Sequence, residues 1–486
     1  MNLAPEQMLL SAILIPALAV FGIILTGRWA NIRELVSIMA GLILINLVTG
    51  LYQIVADGGL IAYQGPELFS GLTIAFAIEP LGMLFALVAG YLWLVTTVYS
   101  IGYMRGHKEE KQTRFFACFA VAISSVMGIA FSANLFTLFI FYEILTLSTY
   151  PLVTHSGTIK AKLGGRVYLG VLLTTSILFL LLAIIGTWFV TGSLDFRDGG
   201  LFDSSTLGAA AVLLPLYIFG IGKAAIMPFH RWLPAAMVAP TPVSALLHAV
   251  AVVKAGVFSV LKICVYVFGL DTLRQLPTTD YLLYLAAVTV LLASIVAMRQ
   301  DNLKARLAYS TVSQLSYITI GALLATSAGV VGGAMHIAMH AFGKITLFFC
   351  AGAIMVAAHK TEISQMRGLG RQMPITMIAF FIGSLSIIGL PPTGGTWGKW
   401  FLMIGALDAG QGVIMAVLMI SSLLNIAYLL PIPIRAFYPN DDVERPTGIK
   451  EAPLPSLVAL SVTAAGCIVL FFFTGPLYEL ALAILS

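Results

Sequence analysis

Long apolar runs alternate with short polar connections along the whole chain. A run of about 20 apolar residues spans a bilayer as a helix. Fourteen runs of that order are present: 8–27, 34–55, 73–101, 115–131, 134–153, 166–190, 208–226, 243–268, 280–298, 305–325, 327–357, 374–390, 412–434 and 455–477. Two have broken continuations. After 226 the chain carries Pro228 and a short piece to about 238, and after Pro391-Pro392-Thr393-Gly394-Gly395 another piece covers 396–407. Proline removes a backbone donor and interrupts a helix. The pattern predicts an all-α polytopic membrane protein of about fourteen transmembrane helices, with helices 7 and 12 broken.

Two five-helix units stand out in this order, spans 4–8 and spans 9–13. In each, the fourth helix breaks beside a lysine, Lys223 before Pro228 and Lys399 after the second break. Five is odd, so the second unit enters the membrane from the opposite side. Matching interruptions in two inverted halves point to a transport site. The chain reads as one transmembrane domain, 1–486: N-terminal helices 1–114, a first repeat 115–268, a second repeat 280–434 and a C-terminal helix 455–486.

Composition agrees. Of 486 residues 59% are hydrophobic and 10% charged, with mean hydropathy +0.99, against about 25% charged in soluble domains. A soluble core and a separate polar domain are both excluded. The first residues, MNLAPEQ, lack a basic leader, so the first run is expected to remain as a span. One set of alternate loops holds nineteen lysines and arginines, from Arg28 through Arg445 to Lys450; the opposite set holds Arg197 and Arg274. Basic loops face the cytoplasm. Both termini are therefore expected on the outer, periplasmic side of a bacterial inner membrane.

Five lysines fall inside spans: Lys223, Lys254, Lys262, Lys344 and Lys399. Only Glu143 among the acids sits well inside one. A lone charge at mid-membrane costs about 3 kcal/mol on insertion scales and marks an ion pathway. Glu143 needs a cationic partner, and Lys223 is the natural one. Lys254 is far from either end of span 8, whereas Lys262 can snorkel outward as an anchor. His336, His340 and Lys344 are four residues apart and line one helix face. Histidine exchanges protons near neutral pH. With no acid in that span to complete a metal site, a proton relay is the stronger reading. The polar stretch Ser310 to Tyr317 predicts either a hydrated interior face or helix–helix hydrogen bonding. Cys118, Cys264, Cys350 and Cys467 are scattered singly and suggest neither metal nor disulfide. No phosphate loop, nucleophile elbow, dinucleotide fingerprint, flavin or haem signature occurs. Neither a cofactor nor a nucleic-acid partner is expected.

Taken together, the motifs resemble a known family. They are Glu143 in span 5, the run GIGKAAIMPFHRWLPAAMVAPTPVSALLHA from Gly220 to Ala249, QDNLKARLAYSTVSQ from Gln300 to Gln314, HIAMHAFGK from His336 to Lys344, and GLPPTGGTWGK from Gly389 to Lys399. They are similar to those of the antiporter-like membrane subunits shared by respiratory complex I, Mrp-type cation/proton antiporters and membrane-bound hydrogenases. The resemblance implies a line of charged groups and water in the membrane plane. In it Glu143 and Lys223 are the first pair, Lys254 the central relay and Lys399 the exit group. His248, His336, His340 and Lys344 support the link between halves. It also implies other membrane subunits as partners, protons and possibly sodium as cargo, and a transporter subunit rather than an enzyme by itself. Lys399 and the short length look most like the D-type membrane component of an Mrp antiporter. The alternative is a proton-pumping subunit of complex I or a hydrogenase, with the inorganic-carbon uptake module a third relative.

Overall fold

The computed structural model describes residues 3–69, 72–438 and 448–485; Arg445, counted above among the basic loops, lies outside them. Among the described residues, eleven helices are long and apolar enough to cross a membrane. The order begins α1 Pro5–Leu25, α2 Ala30–Ala56, strands β1 Ala62–Phe69 and β2 Leu72–Ala77, α3 Pro80–Gly106, α4 Gln112–Ala130, α5 Leu135–Val153 and α6 Ile159–Thr191. It continues with α7 Leu207–Gly220, α8 Thr241–Phe268, α9 Pro277–Arg299, α10 Leu303–Leu323, α11 Ser327–Ala358 and α12 Pro374–Ile388. It ends with α13 Gly395–Asp408, α14 Gly412–Phe437, α15 Leu454–Phe472 and α16 Gly475–Leu482.

The fold is not wholly helical. Residues 73–77, read above as the start of the third span, belong to an antiparallel hairpin pairing Ala62 with Ala77 and Glu67 with Thr73. The reason lies in the sequence. Leu72, Ile74 and Phe76 alternate with smaller residues at the period of a strand, and Pro80 starts the helix at a position where its missing N–H costs nothing. The hairpin docks on the α4–α5 connection, where the Ala75 N–H donates to Thr137 Oγ1 at 3.0 Å and Asn134 Nδ2 donates to the Thr73 carbonyl at 3.0 Å.

The first helix break also falls earlier than the proline implies. α7 ends at Gly220, ahead of Lys223, and Ala225 takes a left-handed φ of 55°. Gly220 and Gly222 explain this. They lie against Leu180 and Thr175 of α6, closer than a side chain permits. α6 itself widens to a π-turn at Ser176–Leu180 where they meet. The second break falls where the sequence puts it, between Ile388 and Gly395.

α8 is the centre of the molecule: its apolar window is buried throughout. The 32-residue α11 packs against α8, α10, α12, α13 and α15. α1, α2 and α6 form the periphery, exposing Leu18, Phe21, Leu25 and Phe189. Apolar side chains turned outward along whole helices are what a lipid-facing surface requires.

Candidate functional site

The lysines inside the apolar runs are all drawn inward. Lys223, Lys254, Lys262, Lys344 and Lys399 are buried. A buried ammonium is tolerated only where its donors find acceptors, and each finds them differently.

Lys223 follows the end of α7. Its Nζ donates to the Tyr142 carbonyl at 2.7 Å and to Thr146 Oγ1 at 2.6 Å, and lies 3.1 Å from the centroid of the Tyr142 ring. A cation against an aromatic face is attracted by the ring quadrupole. The Tyr142 hydroxyl in turn accepts the backbone N–H of Lys223 at 3.2 Å, and Trp232 Nε1 takes up the Gly222 carbonyl freed by the break. Glu143, the expected partner, acts on the ammonium through space but makes no direct bond to it. Glu143 is adjacent in sequence but points to the half-exposed side of α5, between Tyr142 and exposed Ile144. Its Oε1 has no hydrogen-bond partner, and no ion pair joins it to Lys223. Adjacent helix residues point about 100° apart, so Tyr142 takes the inward position and Glu143 cannot.

Lys254 lies on α8, within 2.7 Å of His340 Nδ1. His340 and His336 stack one turn apart on α11, with ring centroids 5.7 Å from each other. His336 Nε2 meets Gln314 Oε1 of α10 at 3.1 Å, and its ring stacks on Tyr317 at 5.7 Å. Lys399 also lies against the Tyr317 ring, its Nζ 4.8 Å from the centroid. Lys399 Nζ donates to the Ile388 carbonyl at 3.0 Å and to Ser422 Oγ at 3.1 Å. Ile388 is the last residue of α12, so the lysine satisfies a carbonyl that the break leaves without a helical donor. It also sits at the negative end of the half-helix dipole. Lys254, His340, His336, Tyr317 and Lys399 thus form one row of touching groups. Gly398 makes it possible, because a Cβ there would stand 3.0 Å from His336 Nδ1.

Lys344 closes the row from one side, donating to Ser310 Oγ at 2.6 Å and to the Leu307 carbonyl at 3.2 Å. Tyr428 donates to the same Ser310 at 2.9 Å and also contacts Asn425. His248 sits on a π-turn of α8, with its ring 4.7 Å from that of Phe348. Neither of its ring nitrogens has a hydrogen-bond partner, nor has Ser244 Oγ one turn earlier. His340 Nε2, His336 Nδ1 and Gln314 Nε2 are also without one. Buried polar atoms left unpaired by protein are where ordered water binds. No hydrogen bond links Lys223 to Lys254; the two meet only where Gly256 of α8 lies against the backbone of Lys223 and Ala224.

The structure therefore unites Lys254, His340, His336 and Lys399, and leaves Lys344, Glu143, Lys223 and His248 as neighbours without direct bonds to that row. The polar stretch in α10 serves two purposes. Ser310, Gln314 and Tyr317 face the row, while Ser313 bonds Ser294 and Ser421 of adjoining helices at 3.0 and 3.4 Å. Sequence reasoning missed Tyr142, Thr146, Ser422 and Tyr428, because hydroxyl residues in membrane helices ordinarily bond their own backbone. It also misplaced Lys262. That amine does not reach outward; it is fully buried, donating to the Ser132 carbonyl at 2.7 Å and ion-paired with Glu79. Among the described residues no group of three or more His, Cys, Asp or Glu is placed to hold a metal ion.

Comparison with known proteins identifies the family and the fold. The family described as NADH:quinone oxidoreductase/Mrp antiporter, TM matches residues 132–425, and the complex I chain 5 N-terminus family matches 70–116. NADH-quinone oxidoreductase subunit N of Desulforudis audaxviator is 34% identical over 416 residues, covering 82% of each chain. NAD(P)H-quinone oxidoreductase chain 5 of Synechocystis sp. is 34% identical over 68% of this chain and 49% of its own, so the chain spans about half the length of that relative. A chain of the Mrp complex from Dietzia sp. superimposes with a TM-score of 0.87 at 22% identity, covering 100% of this chain and 97% of that one. A chain of the membrane-bound sulfane sulfur reductase, an archaeal respiratory membrane complex, gives 0.86 at 23% identity, covering 98% of each.

Proposed function

The chain belongs to the NADH:quinone oxidoreductase/Mrp antiporter membrane-subunit family, and from that premise we propose that it is a proton-translocating subunit of a multisubunit Mrp-type monovalent cation/proton antiporter in a bacterial plasma membrane. The observation that carries the proton path is the 2.7 Å contact between Lys254 Nζ and His340 Nδ1. Two nitrogen bases at that distance share one proton. It leaves the Lys254 ammonium for His340, whose Nε2 has no protein partner, and the amine is ready to accept the next. His336, Tyr317 and Lys399 continue the row. Water bridges Glu143 to Lys223 and Lys223 to Lys254, where no direct bond exists. Moving one charge alters the proton affinity of its neighbours, since close groups titrate as a set.

Fourteen crossings in two inverted repeats accommodate this path. One internal correspondence supports the repeats: Tyr142 in span 5 faces Lys223 of span 7, and Tyr317 in span 10 faces Lys399 of span 12. Spans 5 and 10, and spans 7 and 12, are equivalent members of the two units. Sodium ligands are oxygens, and the row here is nitrogen-rich, so sodium crosses elsewhere in the complex.

A second reading, the proton-pumping arm of a quinone-linked redox complex, is supported by the 34% identity to a subunit N over most of both chains. One experiment addresses both. Everted vesicles carrying the complete complex are given a proton gradient, then sodium, and separately NADH, with a pH-sensitive dye. Sodium-induced proton movement that disappears in Lys223→Ala supports the antiporter. NADH-driven acidification that disappears in the same variant assigns the redox complex. Unchanged transport in both Glu143→Ala and Lys223→Ala overturns the relay itself.

A further inference from the structure

Lys262 and Glu79 form a buried ion pair outside the row from Lys254 to Lys399. Lys262 stands on α8, two turns beyond Lys254; Glu79 caps α3 just after the hairpin. The ammonium also donates to the Ser132 carbonyl at 2.7 Å and lies 4.4 Å from the Phe196 ring centroid. A strut needs no water, but this pair has a wet end. Lys262 is wholly enclosed, whereas the Glu79 side chain keeps 19% exposure. Two surface cavities open in the surrounding region, one of about 260 Å³ lined by Asp198, Val265 and Ile484, the other of about 340 Å³ lined by Ile78, Pro80 and Glu479; Glu79 and Lys262 themselves line neither. Asp198 is near enough to repel the Glu79 carboxylate. The charged and titratable groups that act on Glu79 are Lys262 and Tyr266 of α8 and Asp198 of the loop after α6.

Between this pair and the relay stands Phe258. It is four residues from Lys254 and four from Lys262, so all three share one side of α8. Its ring packs on Phe85 at 4.8 Å and lies 5.5 Å from Lys262 Nζ. An aromatic plate with no polar atom cannot carry a proton.

We propose that the Glu79–Lys262 pair is a second proton-exchange site, open to the hairpin side of the membrane and closed from Lys254 by Phe258. The step balances within the pair. An N–H bond of the Lys262 ammonium breaks as an O–H bond forms on Glu79, and the neutral carboxyl releases the proton to water at the exposed end of its side chain. Lys262, now an amine, takes its next proton from Lys254 when the Phe258 ring moves aside. The proposal rests on the relay described above and extends it to a side port in the first repeat.

The test uses vesicles containing the whole complex, with hairpin-side pH varied and proton transport driven by sodium or NADH. Lys223→Ala serves as the control for the relay. Glu79→Gln should assemble and lower transport at least about tenfold, with the dependence on hairpin-side pH flattened and restored in Glu79→Asp. Wild-type transport in assembled Glu79→Gln, while Lys223→Ala is inactive, overturns the port and leaves the relay standing. If Glu79→Gln does not assemble, Asp198→Asn decides. Removing that exposed negative charge should move the hairpin-side pH midpoint down by roughly 0.3 unit; an unmoved midpoint overturns the port.

Discussion

The Lys223 ammonium sits 3.1 Å from the centroid of the Tyr142 ring, one position along the helix from the carboxylate that the sequence nominates as its partner. The amine is held by a ring, a carbonyl and a hydroxyl rather than by an opposite charge. Such a site stabilises the protonated lysine without a fixed counter-ion. Glu143, one position along the helix, acts on that ammonium through space, so the two charges are linked without touching.

Thr146 supplies the shortest of these contacts, 2.6 Å to Lys223 Nζ. Thr146→Val keeps the shape and removes the acceptor. A buried charged donor left short of one partner costs about 1–3 kcal/mol. The expected outcome is a complex that assembles with reduced thermal stability and transports several-fold more slowly, checked by melting of the purified complex and by vesicle transport. Wild-type behaviour in both would remove Thr146 from the site.

His340 is the acceptor that faces Lys254. His340→Ala should reduce proton transport by about 100-fold or more, the usual scale for loss of a positioned proton-transfer group, with the complex intact on native gels. His340→Gln, which can hydrogen-bond but cannot carry a proton at neutral pH, should be equally slow. Activity in His340→Gln near that of wild type would show that the residue only positions Lys254.

Gly398 lets α13 approach His336. Gly398→Ala places a methyl group 3.0 Å from His336 Nδ1, so the ring or the half-helix must shift by a few tenths of an ångström. Transport should fall several-fold with assembly retained, and Gly398→Val should fail to assemble. Full transport in Gly398→Val would contradict the close contact between α13 and α11.

His155, at the basic-loop end of α5, titrates outside the membrane spans. Its Nε2–H donates to the Glu110 carbonyl at 3.0 Å. Burial holds its proton affinity below that of ordinary histidine, with the nearby Glu109 carboxylate opposing. The folded protein then binds fewer protons at this site than the unfolded chain does, so stability falls as pH drops through the ordinary histidine range near ~6.5. The melting temperature should decline by about 1–2 °C more between pH 7 and 5.5 than in His155→Phe. An identical pH dependence in the variant would contradict this.

Much of this was legible in the sequence, and for a physical reason. A lysine in an apolar run is conspicuous because lipid forbids it, so Lys223, Lys254, Lys344 and Lys399 announce themselves, and four-residue spacing puts His336 and His340 beside each other. Their partners do not announce themselves. Thr146, Ser422 and Tyr428 are ordinary residues of membrane helices, and only folding brings Tyr317 against both His336 and Lys399. The hairpin was hidden because Leu72 to Ala77 is as apolar as the helix it precedes. With the span drawn too early, Glu79 fell inside an apolar run's edge and Lys262 appeared to lack a partner. Glu143 and Lys223 interact through space without a direct bond, a distinction beyond the sequence, since hydropathy does not say which of two adjacent residues faces inward.

The central claim is that Lys254 gives up and regains its proton during turnover. Lys254→Arg tests it most directly, because arginine keeps the positive charge and does not release it. In everted vesicles carrying the complete complex, with sodium and NADH offered in turn, the account predicts an assembled variant that moves protons at about one hundredth of the wild-type rate or less. Proton movement at the wild-type rate in that variant would contradict it, since a permanent charge at position 254 cannot pass a proton on.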